Sequence, residues 1–257
     1  MGHIRLPRLP RTRRWREVVD LLRSPSGTAP AVASATLAAV DEAFVHSDTD
    51  RGLVRAVWLL AQLPVAARSD DFRAAAKQLG INLPATPTVA DISTGISAAI
   101  DDYLGESGER TDIGELALGA AVEAVSRTLH ARTTSLFPDP TEPTRATAAL
   151  GTETQFGRLA RDFFARFTQR WLKAFVDREL PHHTGEGRRF ATLTEQREFT
   201  QALDLHCQQA ARIVESFAGG WWSKARHEGD LTEQRTSGFV SYSLKKLRDE
   251  LQRGHDE

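Results

Sequence analysis

The chain reads as all-α, a multihelical globule of about nine helices in two packed halves. Apolar residues recur every three or four positions almost from end to end, and no segment alternates apolar and polar residues long enough to make a half-buried strand. Gly, Pro and Ser/Thr/Asp signals interrupt the stripes at helix-length intervals. At 257 residues, one large core and two closely packed units are both compatible with the length.

The first stripe is Trp15, Val18, Val19 and Leu22, closed by Ser24-Pro25-Ser26-Gly27. Leu37, Val40 and Phe44 form a second, ended by the polar stretch His46 to Asp50. Leu53, Val54, Val57, Trp58, Leu60 and Ala61 cover a wide arc, which predicts a central helix, and Pro64 is expected to stop it. A short helix from Asp71 to Leu79 should end at Gly80, the position where glycine escapes the Cβ penalty of a left-handed turn. Pro84 and Pro87 predict an extended link before the stripe Val89, Ile92, Ile96, Ile100 and Tyr103. Gly105 to Arg110 reads as a mobile loop. Beyond it, Leu118, Val122, Val125 and Leu129 lie on a helix of about five turns whose Ala and Gly content predicts close packing.

Three prolines between Pro138 and Pro143 mark the expected boundary between an N-terminal bundle, 15–137, and a C-terminal helical unit, 144–257. The second unit opens with the strongest helix, carrying Phe156, Ala160, Phe163, Phe167, Trp171 and Phe175, and Pro181 should end it. Thr192-x-x-Glu195 and Asp230-x-x-Glu233 read as capping boxes. The first predicts one helix through Phe199, Leu203, Ala210, Val214, Phe217 and Trp221. The second predicts a helix through Val240, Leu244, Leu247 and Leu251, a seam able to finish the core or to pair with a second copy. Leu-Thr-Glu-Gln-Arg occurs at 193 and again at 231, the same capping solution used twice.

Composition narrows the function classes. One cysteine, Cys207, excludes an internal disulfide framework and a thiolate zinc cluster. The longest apolar run, Leu53 to Ala67, contains Arg55, Gln62 and Pro64, so no transmembrane helix is expected; no secretory h-region follows Met1 to Arg16, and cytoplasm is the expected location. Arg outnumbers Lys 28 to 5, and Ala is abundant, which suggests a bacterial genome composition. The net charge of −1 is unevenly spread: residues 1–23 carry seven Arg against Glu17 and Asp20. Residues 1–14 therefore read as a basic extended arm, its Leu-Pro steps favouring a polyproline path.

Three features are candidate sites. In Phe217-Ala-Gly-Gly-Trp-Trp-Ser-Lys224, adjacent tryptophans on a helix point about 100° apart, so Trp221 and Trp222 cannot both face one core. Two interior glycines imply a bend or a close backbone approach. Phe217, Gly219, Gly220, Trp221, Trp222 and Lys224 are accordingly expected to contact a protein partner, with internal docking of the last helices as the competing reading. Arg158, Arg161, Arg166, Arg170 and Lys173 flank the aromatic helix and, with Arg5, Arg8, Arg11, Arg13 and Arg14 of the arm, form a candidate nucleic-acid surface; snorkelling flanks of a core helix are the plainer reading of the first group.

Catalytic signatures are sparse. His182 and His183, with Glu179 and Glu186, lack the i, i+4 spacing of a helical metal site, and His206 beside Cys207 points away from it. No phosphate loop, nucleophile elbow or His-Glu-x-x-His occurs. The expected function is a non-enzymatic adaptor or scaffold subunit of a bacterial protein complex, with no cofactor. The alternatives are a nucleic-acid-associated protein, using the arm and the Arg158–Lys173 face, and a metal- or nucleotide-dependent enzyme.

Overall fold

The computed structural model describes residues 9–40, 44, 46–106, 108, 110–133 and 139–253. Eleven α-helices lie among them: α1 Arg13–Arg23, α2 Ala29–Ala39, α3 Arg51–Ala66, α4 Phe72–Gln78, α5 Val89–Glu106, α6 Asp112–His130, α7 Glu142–Ala149, α8 Glu153–Val176, α9 Leu193–Ala210, α10 Arg212–His227 and α11 Glu233–Arg253. Two 3-10 turns, His46–Thr49 and Leu180–His183, and one isolated bridge between Thr184 and Phe190 complete the regular structure. The all-α architecture follows from the period of the apolar residues.

Most helices start on a side-chain cap. Thr12, Thr28, Asp50, Asp71, Thr111, Thr152 and Thr192 each accept from the backbone N–H three residues on, satisfying an orphan amide worth about 1 kcal/mol. The cap at Thr12 places Arg13 and Arg14 on α1, so the described part of the arm is residues 9–12. Helix α4 ends as its glycine predicts: Gly80 has φ +85°, and Ile81 N–H donates to Ala76 C=O at 2.9 Å.

Four local expectations are corrected. Pro64 does not stop α3, which runs to Ala66; one missing N–H near a C-terminus is tolerated when the ring itself is buried. The expected single helix from Thr192 to Trp221 breaks at Ala211, where a 3-10 step (Val214 N–H to Ala211 C=O, 3.0 Å) redirects the chain into α10. Helix α7 starts inside the proline-rich stretch, with Pro143 in its first turn, so the Phe156 helix is preceded by a short one and does not open the second half. At α11 the cap is Thr232, accepting from Arg235 N–H at 3.2 Å; Asp230 and Glu233 form no box, and Glu233 binds Arg55 at 2.8 Å instead.

Helices α3 and α8 carry the most buried residues among the described helices, and α6 packs on both. Buried Ala117, Ala120, Ala121 and Ala124 let α6 lie close, and a Cβ on Gly52 would sit 2.7 Å from Gly114 Cα, so α3 and α6 nearly touch backbones. One apolar cluster runs from Trp15 to Leu251 through both halves of the sequence. Polar ties cross between them: Trp58 Nε1 and Gln62 Nε2 both donate to Leu231 C=O at 2.8 Å, and Arg189, stacked on Phe190 and Phe199, donates to Leu21 C=O at 2.9 Å and to Gly27 C=O. The leucine seam of α11 is buried within this cluster, so it completes the core of the single chain.

Candidate interaction surface

The site grows from the crossing of α8 and α10. A Cβ built on Gly219 would lie 2.3 Å from Glu153 C=O, and one on Gly157 would lie 3.1 Å from Glu215 C=O. Glycine at these two positions is therefore what lets the helix backbones meet. Gly220, one residue on, is exposed, and its nearest neighbour is the flexible Glu153 carboxylate at 3.5 Å.

The close crossing carries Trp222 into the core, where it is 2% exposed, stacks on Phe156 at 5.5 Å and donates from Nε1 to Ala61 C=O at 2.9 Å. Burying the indole with its polar atom satisfied makes it an anchor between α10, α8 and α3. Trp221, turned about 100° away, is half-buried and lies flat on Phe239 of α11 with ring centres 4.1 Å apart. Phe217, one turn earlier, is also half-buried; it meets Phe239 edge-on at 6.0 Å and Tyr242 edge-on at 4.9 Å.

These contacts make a continuous row of rings, Trp222, Phe156, Trp221, Phe239, Phe217 and Tyr242, with a dry end and a wet end. Tyr242 is 49% exposed, one of three large hydrophobic side chains that stand out among the described residues, with Leu193 and Leu205. Gly238, one turn before it, is exposed, with no other atom within 4 Å of where a Cβ would be. Lys246 lies over Tyr242 at 5.6 Å and exposed Lys245 is its chain neighbour, while exposed Lys224 of α10 faces Glu228 at 3.9 Å.

Of the six residues expected to meet a partner, Gly219 and Trp222 thus serve internal packing, whereas Phe217, Gly220, Trp221 and Lys224 reach the surface to differing extents. The sequence reading missed Tyr242, Phe239 and Gly238. Their signal was a second face on α11, with spacing 238, 239, 242 and 246, overshadowed by the leucine seam.

The arginines of α8 are engaged internally. Arg158 and Arg161 face Glu215 at 3.8 and 2.9 Å, Arg166 pairs with Glu123 and Asp162, Arg170 reaches Glu123 at 3.0 Å, and Lys173 holds Asp204 at 2.7 Å. Burial alone would raise the Glu123 carboxyl, but Arg166 and Arg170 outweigh it and hold its pKa below the ordinary value. Guanidiniums already neutralised by carboxylates have little left for phosphates. In the arm, Arg11 is exposed, Arg13 faces Glu17 at 3.6 Å and Arg14 donates to Ala38 C=O at 3.0 Å, while Arg5 and Arg8 lie outside the described residues.

Cys207 is fully buried, and desolvation, with Asp204 nearby, pushes its thiol up to about 12, so no thiolate is available at neutral pH. His183 and His206 are buried with Nε2 unpartnered, and desolvation lowers the pKa of both. The stretch after α8 is pinned by Arg189 and the Thr184–Phe190 bridge. No group of three His, Cys, Asp or Glu side chains among the described residues has the geometry to hold a metal, and no described helix is long and apolar enough to cross a membrane. No protein-family model matches the chain, nor does any curated protein or solved structure.

Proposed function

We propose that the chain is a non-enzymatic helical adaptor or scaffold subunit of a bacterial, cytoplasmic complex, and that it docks a partner protein on the wet end of the aromatic row. The observation that carries this reading is Tyr242, exposed and held edge-on by Phe217. A rigid aromatic backed by core rings loses little entropy on binding, which is what interface hot spots require. The neighbouring lysines select the partner's chemistry: an apolar segment flanked by carboxylates, its apolar side chain packing on Tyr242 and its acids meeting Lys245 and Lys246.

The test is purification of the tagged full-length chain from its host, with and without nuclease, beside a Tyr242→Ala/Lys246→Glu variant of unchanged stability. A nuclease-resistant partner held by the parent and lost by the variant is the expected result. Equal retention by both removes this surface from the account, and partners released by nuclease alone favour the nucleic-acid reading.

A further inference from the structure

Helix α9 holds the core with Phe199, Leu203, His206, Cys207 and Ala210. Its other side is exposed along Glu198, Gln201, Ala202, Leu205, Gln208 and Gln209, and exposed Arg212 follows just past the Ala211 step. Steps of three and four residues place these side chains on one stripe of the helix.

The outer face of a surface helix is ordinarily charged. Between Glu198 and Arg212 the one Asp, Glu, Lys or Arg in the sequence is Asp204, and it is held by Lys173 of α8 at 2.7 Å. The stripe is thereby left with Gln, Ala and Leu over about two turns. Leu205 at its centre is 54% exposed. A charge-depleted centre inside a charged rim is the composition of a protein interface. At the rim, Glu198 and Arg212 carry opposite charges, and neither belongs to an ion pair among the described residues, whereas Glu215 nearby is taken by Arg161 at 2.9 Å.

Glu198 and Arg212 each lie seven residues from Leu205. If the stripe met a second copy of itself antiparallel, a two-fold axis through Leu205 would oppose residues equally far from it in sequence. Leu205 would pack on its counterpart, and the small Ala202 would face Gln208 and let the helices approach. The amides of Gln201 and Gln209 would bond to each other. Glu198 would meet Arg212 at both ends, about 10 Å from the axis. A parallel arrangement would instead set like charge on like charge. A stripe that becomes its own charge complement on reversal fits a second copy of this chain.

We propose that α9 pairs antiparallel with α9 of a second copy, centred on Leu205 and closed by two Glu198–Arg212 ion pairs. The contact uses a different helix from Tyr242 and does not depend on the docking read there. A strip about 20 Å long is small beside the interfaces of permanent dimers, so the association is a weak one, at tens to hundreds of micromolar.

Sedimentation velocity of the full chain, from about 10 µM to about 1 mM, should show a monomer–dimer equilibrium. Leu205→Glu should remain monomeric throughout. Glu198→Arg and Arg212→Glu, each of which places like charges at both ends, should each weaken the dimer about tenfold or more. An equimolar mixture of those two variants should recover it as a heterodimer, which misfolded chains would not do. A monomer at every concentration, a dimer indifferent to these substitutions, or no recovery in the mixture overturns the proposal.

Discussion

The inner and outer faces of α10 carry the same pair of residues to opposite ends. Gly219 and Trp222 point into the protein, where the glycine admits the α8 backbone and the tryptophan bridges three helices. Gly220 and Trp221 sit one residue earlier or later on the turn, and there the glycine touches only the end of Glu153 while the tryptophan lies on Phe239, half-exposed. The doubled Gly-Gly-Trp-Trp is therefore two different devices, one that assembles the core and one that leads to its surface.

Substitutions on the two faces should separate these devices. Trp222→Ala is expected to cost about 4 kcal/mol, through the cavity and the lost bond to Ala61 C=O, read as a fall in unfolding midpoint in denaturant. Gly219→Ala should follow at about 3 kcal/mol, because the added methyl meets backbone, which no rotamer change can clear. A loss below about 1 kcal/mol would show that the helices separate easily and that the crossing is not held by the glycine.

Two buried histidines extend the contrast. Burial holds the pKa of His183 and His206 below the ordinary 6.5, so the unfolded chain takes up protons first as pH falls. Stability is then intact above about pH 6.5 and declines below it until the folded-state pKa values are passed. Denaturant unfolding at about pH 7.5 and about pH 5.5 should show this loss, and His183→Asn/His206→Gln should flatten it.

The outer face gives the smallest stability effects. Tyr242→Ala should cost about 1 kcal/mol or less while abolishing partner capture, a split between binding and stability that a core residue would not give. Gly220→Ala should stabilise by about 0.5–1 kcal/mol, since alanine is the better helix former and the site has room. Destabilisation by Gly220→Ala would mean that both glycines belong to the crossing.

The sequence stripes located the helices well where the period was long and the caps were local. The Phe156 to Phe175 stripe became α8 because its aromatics share one face, and Gly80 ended α4 through backbone geometry that glycine alone favours. The break at Ala211 left no such mark: the residue is alanine, the backbone stays in the right-handed region, and only the meeting of α9 and α10 in the core decides the turn. Pro64 misled for the converse reason, since burial outweighed a local signal. At the candidate site, Trp221 and Phe217 could be read from α10 alone. Tyr242 required knowing that α11 packs beside them, a contact between residues 25 positions apart.

The long-range ties have a consequence for how the chain is made. Helix α3 is closed by Leu231, which binds Trp58 and Gln62, by Glu233, which binds Arg55, and by Trp222, which binds Ala61, each more than 160 positions away. During synthesis these partners leave the ribosome long after α3 has emerged, so a helix with eleven buried residues waits with its inner faces uncovered. The native contacts of α3 with α10 and α11 therefore form only after both of those helices have been synthesised.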